Sequence, residues 1–218
     1  MAIIIGPITL GGLSVTTVSL PSKKLRTLEL RISDAIATVS SPYTGQTQTQ
    51  SWPGGDMWAG TVTLPPLAQD DADQWIAFLM ALRGMQNAFQ LGDYLKRTPR
   101  GNPLGSPQVD NTQNGGNPAM SQQLGTNNWT PSSAGVLLAG DYIQIGYRLH
   151  RVLTDASSDS SGNALLNIWP SLREQPSNMT AVVTSNTQGL WRLASNQRTW
   201  SVDYTKLTNI SFPILEYR

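Results

Sequence analysis

A chain of 218 residues is long enough to bury a sizeable core, in one large β domain or two small ones. Only 13% of the residues are charged, and 15 Lys and Arg nearly balance 14 Asp and Glu, which excludes a strong field that steers the chain toward nucleic acid. There is no cysteine, which excludes a disulfide framework and any cysteine–zinc centre.

The chain opens on MAIII, apolar but without a basic flank, and Gly6-Pro7 ends the run too soon for a signal peptide. No run approaches the roughly 20 apolar residues of a membrane span. The expectation is a soluble protein made without Sec export, on which the sequons at Asn128, Asn178 and Asn209 are chance. LRTLELRI alternates, with Leu28, Leu30 and Ile32 facing one way and Thr27, Glu29 and Arg31 the other. That period of two marks a half-buried strand. MWAGTVTL repeats it with Trp58, Val62 and Leu64. Between them, the alternating Thr/Gln section of SSPYTGQTQTQSWPGGDM reads as a long exposed hairpin with both faces wet, or else as a mobile loop.

Pro65 and Pro66 close that strand, and DDADQWIAFLMALRGM predicts a helix over 70–83. Asp70, Asp71 and Asp73 crowd its first turn, where negative charge suits the macrodipole, and Gly84 is placed to end it. Trp75, Ile76, Phe78, Leu79, Met80 and Leu82 spread over more than half the wheel, and Ala77 and Ala81 fill much of the rest. A helix apolar nearly all round is expected to be covered on more than one side, by the sheet of its own subunit and by a loop or a neighbouring copy.

AFQLGDYL resumes as a strand. From TPRGNPLGSPQVDNTQNGGNP, Gly, Pro and Asn dominate for about thirty residues, which predicts an insertion or a docked arm without structure of its own. GDYIQIG and YRLHRVL then form a hairpin turned at Gly146, DASSDSSGNA makes a polar tip, and NALLNIW, TAVVTSN, GLWRLAS, TWSVDY and ISFPILEYR supply further strands. The organisation expected is a β domain over 1–97, an inserted β module with a long Gly/Pro/Asn-rich arm over 98–187, and strands over 188–218 that complete the first domain.

No catalytic, cofactor-binding or metal-ligating residue stands out. His150 is the only histidine and reads as a surface or partly packed strand residue beside Arg148. Asp155, Ser157 and Asp159 imitate the start of a calcium loop, but Ser160 stands where glycine is needed and Leu166 where a bidentate Glu is needed. Asp203 and Glu216 stand alone in strands, and there is neither a nucleophile elbow nor a phosphate loop. Trp75, Trp169, Trp191 and Trp200 read as core. Trp52 and Trp129 sit beside polar loops, where an aromatic packs, anchors an interface or stacks on a sugar.

GTVTLPPLAQDDADQWIAFLMALRGMQNAFQLGDYLKRTPRG, AGDYIQIGYRLHRVLTDASSDSSGNALLNIWPSLRE and LWRLASNQRTWSVD together resemble the distal tail proteins of long-tailed bacteriophages, over roughly residues 58 to 205. The resemblance rests on the order and texture of the segments. It implies a tail-tube-like β-sandwich or split barrel with one flanking helix, and a small OB-like or galectin-like β module inserted in it. The implied function is structural and non-enzymatic: a homo-oligomeric, hexameric ring between the tail tube and the tail-tip or baseplate proteins. Such a ring lines the DNA channel and meets the tube protein, the hub and the tape-measure protein, in a virion assembled in the bacterial cytoplasm. It implies no cofactor, no sequence-specific nucleic-acid binding and no membrane insertion. Two other readings stand beside it: a carbohydrate-binding module using Trp52 or Trp129, and another tube-derived ring such as a tail terminator.

Overall fold

The structure, a computed structural model, describes residues 5–10, 12–22, 25–204 and 206–218. The opening MAII, and with it the reading of the first residues as no leader, lies outside the described residues. In chain order the elements are β1 (Ile5–Leu10), β2 (Leu13–Val18), β3 (Thr27–Ser33), β4 (Ile36–Ser40), β5 (Thr47–Ser51), β6 (Met57–Thr63), α1 (Gln69–Ala81), β7 (Phe89–Leu91), β8 (Gly105–Val109) and β9 (Gln123–Trp129). They continue as β10 (Tyr142–Ile145), β11 (Arg148–Val152), β12 (Ala164–Trp169), β13 (Val182–Val183), β14 (Gly189–Leu193), β15 (Trp200–Val202) and β16 (Thr208–Glu216). The fold is mainly β, with one α-helix among the described residues, and that helix is neither long nor apolar enough to cross a membrane.

The chain divides into two units. One comprises Met1–Arg31, Trp58–Asp93 and Gln188–Arg218; the other comprises Ile32–Met57 and Tyr94–Thr187. The Thr/Gln segment, expected within the first domain, therefore groups with the second unit.

In the first unit a sheet runs β3-β6-β16-β14-β7, with β15 added on β16. Strict alternation in MWAGTVT buries Trp58, Gly60 and Val62 and leaves Ala59, Thr61 and Thr63 half-exposed, as the period of two predicts. β16 does the same with Ile210, Phe212 and Ile214. The β1–β2 hairpin extends the sheet beyond β7, where Val18 N–H donates to Ala88 O at 2.8 Å and Ala88 N–H to Thr16 O at 2.9 Å. Helix α1 lays Ala72, Trp75, Phe78 and Leu79 into the core. Phe78 sits edge-on to Trp75 at 5.6 Å and to Phe89 at 5.5 Å, an arrangement aromatic quadrupoles favour.

Several expectations for this unit are corrected. Within the single chain the helix is covered on one side: Ala77 is exposed, Met80 is 61% exposed, and Ile76 and Ala81 are half-buried, so no loop of the described residues supplies the second cover. Its N-cap is Ala68 with no side-chain cap, and of the three aspartates expected in the first turn Asp70 and Asp71 stand there. It ends at Ala81, and the left-handed backbone begins at Arg83, one residue before Gly84. Trp200 is not core. It lies on a short strand bonded on one side to β16 and is 43% exposed.

In the second unit an antiparallel sheet of order β13-β10-β11-β12-β9-β8 curls into a near-closed barrel. β13 and β8 approach through a Gln108–Ala181 bridge, and Val109 N–H donates to Thr180 O while Met179 N–H donates to Val109 O, each at 2.9 Å. Val109, Leu124, Val136, Leu137, Ile143, Leu166 and Ile168 fill the interior. The hairpin at Gly146 is present, with φ +57 at the turn.

The Gly/Pro/Asn-rich stretch is not an unstructured arm. It builds β8, a short helical turn at Asn114–Gly116 and β9. Its polar side chains take the place that apolar packing holds elsewhere. Asn117, fully buried, accepts from Gly125 N–H at 2.6 Å and donates to Asp110 O at 2.9 Å, clamping the connection from inside. Thr112 Oγ1 and Gln113 Nε2 donate to the two oxygens of Asp110, at 2.7 and 2.8 Å.

Candidate assembly surface: a rooted hairpin arm

Residues 35–55 carry no charged side chain. Within them β4 and β5 pair in the register Ile36–Ser51, Ala37–Gln50, Thr38–Thr49, Val39–Gln48 and Ser40–Thr47. Alternation sets Ile36, Thr38 and Ser40 against Ser51, Thr49 and Thr47 on one face, and Ala37 and Val39 against Gln50 and Gln48 on the other. Every residue of both strands is exposed, and the two strands form a sheet of their own among the described residues. At the tip Ser41 N–H donates to Gln46 O and Gly45 N–H to Ser41 O, with φ +67 at Gly45. Tyr43 there is 95% exposed and Val39 on the strand 69%.

An isolated two-stranded hairpin is marginal in water. This one is held at its base. Ala35 N–H donates to Asp56 Oδ1 at 3.1 Å and Trp52 N–H to Ala35 O at 2.9 Å, which closes the root. Three groups at the end of β12 and just beyond it fasten the root to the barrel: Trp169 Nε1 donates to Asp34 Oδ1 at 3.0 Å, Gly54 N–H donates to the buried Ser171 Oγ at 2.6 Å, and Arg173 Nη1 donates to Gly54 O at 2.5 Å. Arg173 Nη2 also donates to Asp56 O. A firm root beneath an open ladder makes an arm whose free strand edges and apolar residues are available to a partner. The Thr/Gln alternation signalled β5. The donors that hold the root are scattered through the sequence, and only the fold brings them together.

The other residues singled out by sequence sit elsewhere. His150 is buried in β11, and its Nδ1–H donates to Pro170 O at 2.8 Å, which fixes the ring as a structural donor. Trp129 is buried, with Nε1 donating to Thr126 Oγ1 at 2.8 Å, so it offers no face to a sugar. Trp52 is half exposed at the root of the arm. Asp159 is turned inward on its own loop, accepting from Ser161 N–H and Asn163 N–H at 2.8 Å. Those bonds, Asn163 N–H first, hold its carboxyl below the ordinary value. Asp155 Oδ1 accepts from Ala139 N–H at 2.8 Å, so neither carboxylate is arranged as a calcium ligand. Glu216 is buried and accepts from Trp58 N–H at 3.1 Å. Among the described residues no group of three or more His, Cys, Asp or Glu lies together as metal ligands would.

Fold and surface together define a mainly β protein of two units, one a helix-backed sheet and the other a near-closed six-stranded antiparallel barrel bearing a protruding uncharged hairpin. No protein-family model matches the chain, and no curated protein matches it.

Proposed function

We propose that the chain is a structural, non-enzymatic ring component of a phage tail, of the distal-tail kind, that closes by joining identical copies. On this reading the helix-backed sheet is the tail-tube-like domain and the barrel is the inserted module, closer in form to an OB-like barrel than to a galectin-like sandwich. The observation that carries the reading is the β4–β5 arm: an exposed ladder with apolar residues on both faces, no charge, and a root bonded firmly enough to hold it in place. An arm on one surface that fits a different surface of the next copy is a heterologous contact, which closes into a ring when the rotation returns to its start. Joining also covers strand edges that are an aggregation hazard when bare. Uncharged Thr and Gln side chains suit a wall past which DNA moves without being held.

Size-exclusion chromatography with light scattering tests this. The expected result is a closed oligomer, or rings that form as concentration rises. Material that stays monomeric at high concentration with the arm intact would overturn the proposal. The carbohydrate reading retains only Trp52, since Trp129 is buried. A shift in tryptophan fluorescence on adding envelope glycans, lost in Trp52→Phe, would favour it instead.

A further inference from the structure

The outer side of α1 and the run that opens the second unit carry opposite charge. Asp70, Asp73, Ala77 and Met80 follow one another at spacings of three and four residues, so they stand in one stripe along the helix. All four are exposed, Met80 by 61%. The stripe is acidic toward the start of the helix and apolar toward its end, and at the helical rise it extends over about 15 Å.

Residues 94–97, Tyr-Leu-Lys-Arg, are exposed throughout, and Leu95 is 95% exposed. An aliphatic side chain held that far into water between an aromatic ring and two cations adds nothing to the core of its own chain. The Arg97 guanidinium carbon lies 5.8 Å from the centre of the Tyr94 ring, so one of the cations stands against an apolar surface. Asp141 shares a cavity lining with Lys96, but it is buried and already held by the N–H groups of Arg100, Gly101 and Leu138 and by the Arg100 guanidinium. Among the described residues Asp70, Asp73, Lys96 and Arg97 enter no ion pair and no side-chain hydrogen bond.

We propose that the 94–97 run of one copy docks on the α1 stripe of a second copy, with Leu95 against Ala77 and Met80 and with Lys96 and Arg97 against Asp73 and Asp70. The charges decide the occupant. An apolar side chain followed by two cations answers an apolar end followed by two carboxylates, and every copy carries both halves. The two halves are different surfaces, so the contact is heterologous and each copy can give one and receive the other. With a net charge of only +1, copies approach without long-range repulsion. The contact rests on the reading that identical copies join, and it is separate from the β4–β5 arm.

Sedimentation velocity of the full chain over a range of concentrations, at low and high salt, tests it. The expected result is association that weakens as salt screens the exposed charges. Lys96→Glu with Arg97→Glu should weaken it about tenfold or more, and Asp70→Lys with Asp73→Lys should do the same, with circular dichroism matching the parent. Asp70→Asn with Asp73→Asn, which keeps the side-chain shape, should weaken it several-fold. Mixing the two charge-reversed chains should restore association, because the acidic run of one meets the basic stripe of the other and the remaining pair of surfaces is native. A wild type that stays monomeric overturns this contact and the ring reading together. A wild type that associates equally at both salts, or no more strongly than its two reversed variants, overturns this contact alone and leaves assembly to the arm. Reversed chains that fail alone and stay apart when mixed overturn the pairing of these two surfaces.

Discussion

The indole N–H of Trp169 donates to Asp34 Oδ1 at 3.0 Å, tying the residues that follow β3 to the end of a barrel strand far along the chain. Trp169→Phe keeps most of the ring volume and removes that donor. The expected loss is about 1 kcal/mol of stability, together with faster amide exchange over residues 35–52. Asp34→Ala should do the same, and the double variant should cost little more than either change alone. Hydrogen exchange followed by mass spectrometry checks it. Unchanged exchange of the arm in both single variants would show that Ser171 and Arg173 hold the root without this bond.

Trp75 is the largest side chain that α1 buries, and it contacts Phe78 and Phe212 with ring centres 5.6 and 6.4 Å apart. Trp75→Ala leaves a cavity the sheet cannot fill, at a cost of about 3–5 kcal/mol. The Trp75 Nε1 atom is buried without a hydrogen-bond partner, so part of the ring's contribution is already offset by an unmet donor. Trp75→Phe should therefore cost distinctly less than the alanine change, which urea titrations of both variants will measure.

At Gly60 a β-carbon would come within 2.3 Å of the Glu29 carbonyl oxygen, so β3 lies directly over this residue. Gly60→Ala forces two paired strands apart, and about 1–3 kcal/mol of destabilisation is expected. An equilibrium denaturation curve for the variant that overlays the parent's would show that the strands separate freely at this point.

What the sequence disclosed follows the kind of physics involved. Alternation in MWAGTVT is imposed by one buried face, so Trp58 and Val62 were legible from period alone, and ISFPILE, read as a strand, buries Phe212 and Ile214 by the same rule. The helix was legible for the same reason, with Trp75, Phe78 and Leu79 on the sheet, while Met80 and Ala77 lie on the side the chain's own sheet does not reach. β8 and β9 were missed because GSPQV and QLGTNNW carry few apolar residues. They are held by ladder bonds and by Asn117, whose long-range partners no local pattern announces. Trp129 and Trp200 were assigned by neighbours in sequence, and their burial depends on neighbours in space. The arm's alternation was visible. Its root depends on Asp34, Ser171 and Arg173 meeting, a consequence of topology.

Val39 lies on one face of the arm, exposed and opposite Gln48. Val39→Glu places a charge on a surface proposed to be covered by another copy, while the subunit itself loses no buried contact. The expected outcome is an unchanged melting curve for the isolated subunit and a loss of oligomers of at least tenfold in apparent affinity, since an unpaired charge in an interface costs about 2 kcal/mol or more. Ala81→Glu on the outer side of α1 tests the helix in the same way. Normal assembly by Val39→Glu would place this face of the arm outside the contact.

Asp141 gives the barrel a dependence on acid. Burial alone would raise its carboxyl, but the backbone N–H groups of Arg100, Leu138 and Gly101 and the charge of Arg100 more than offset this and hold it below the ordinary value. A lowered folded value means that the carboxylate stabilises the fold fully above the unfolded value of about 4. That contribution is lost as pH falls through the folded value. Solvent screening trims the charge interaction, leaving about 1–2 kcal/mol carried by the hydrogen bonds. Asp141→Asn keeps the shape but sets an amide N–H₂ against backbone donors. It should lower stability at neutral pH and show a flatter decline below pH 4, as urea titrations across pH will reveal. If the variant and the parent lose stability in parallel through the acid range, the dependence belongs to other carboxylates, with Asp110 and its bonds from Thr112 and Gln113 the next to replace.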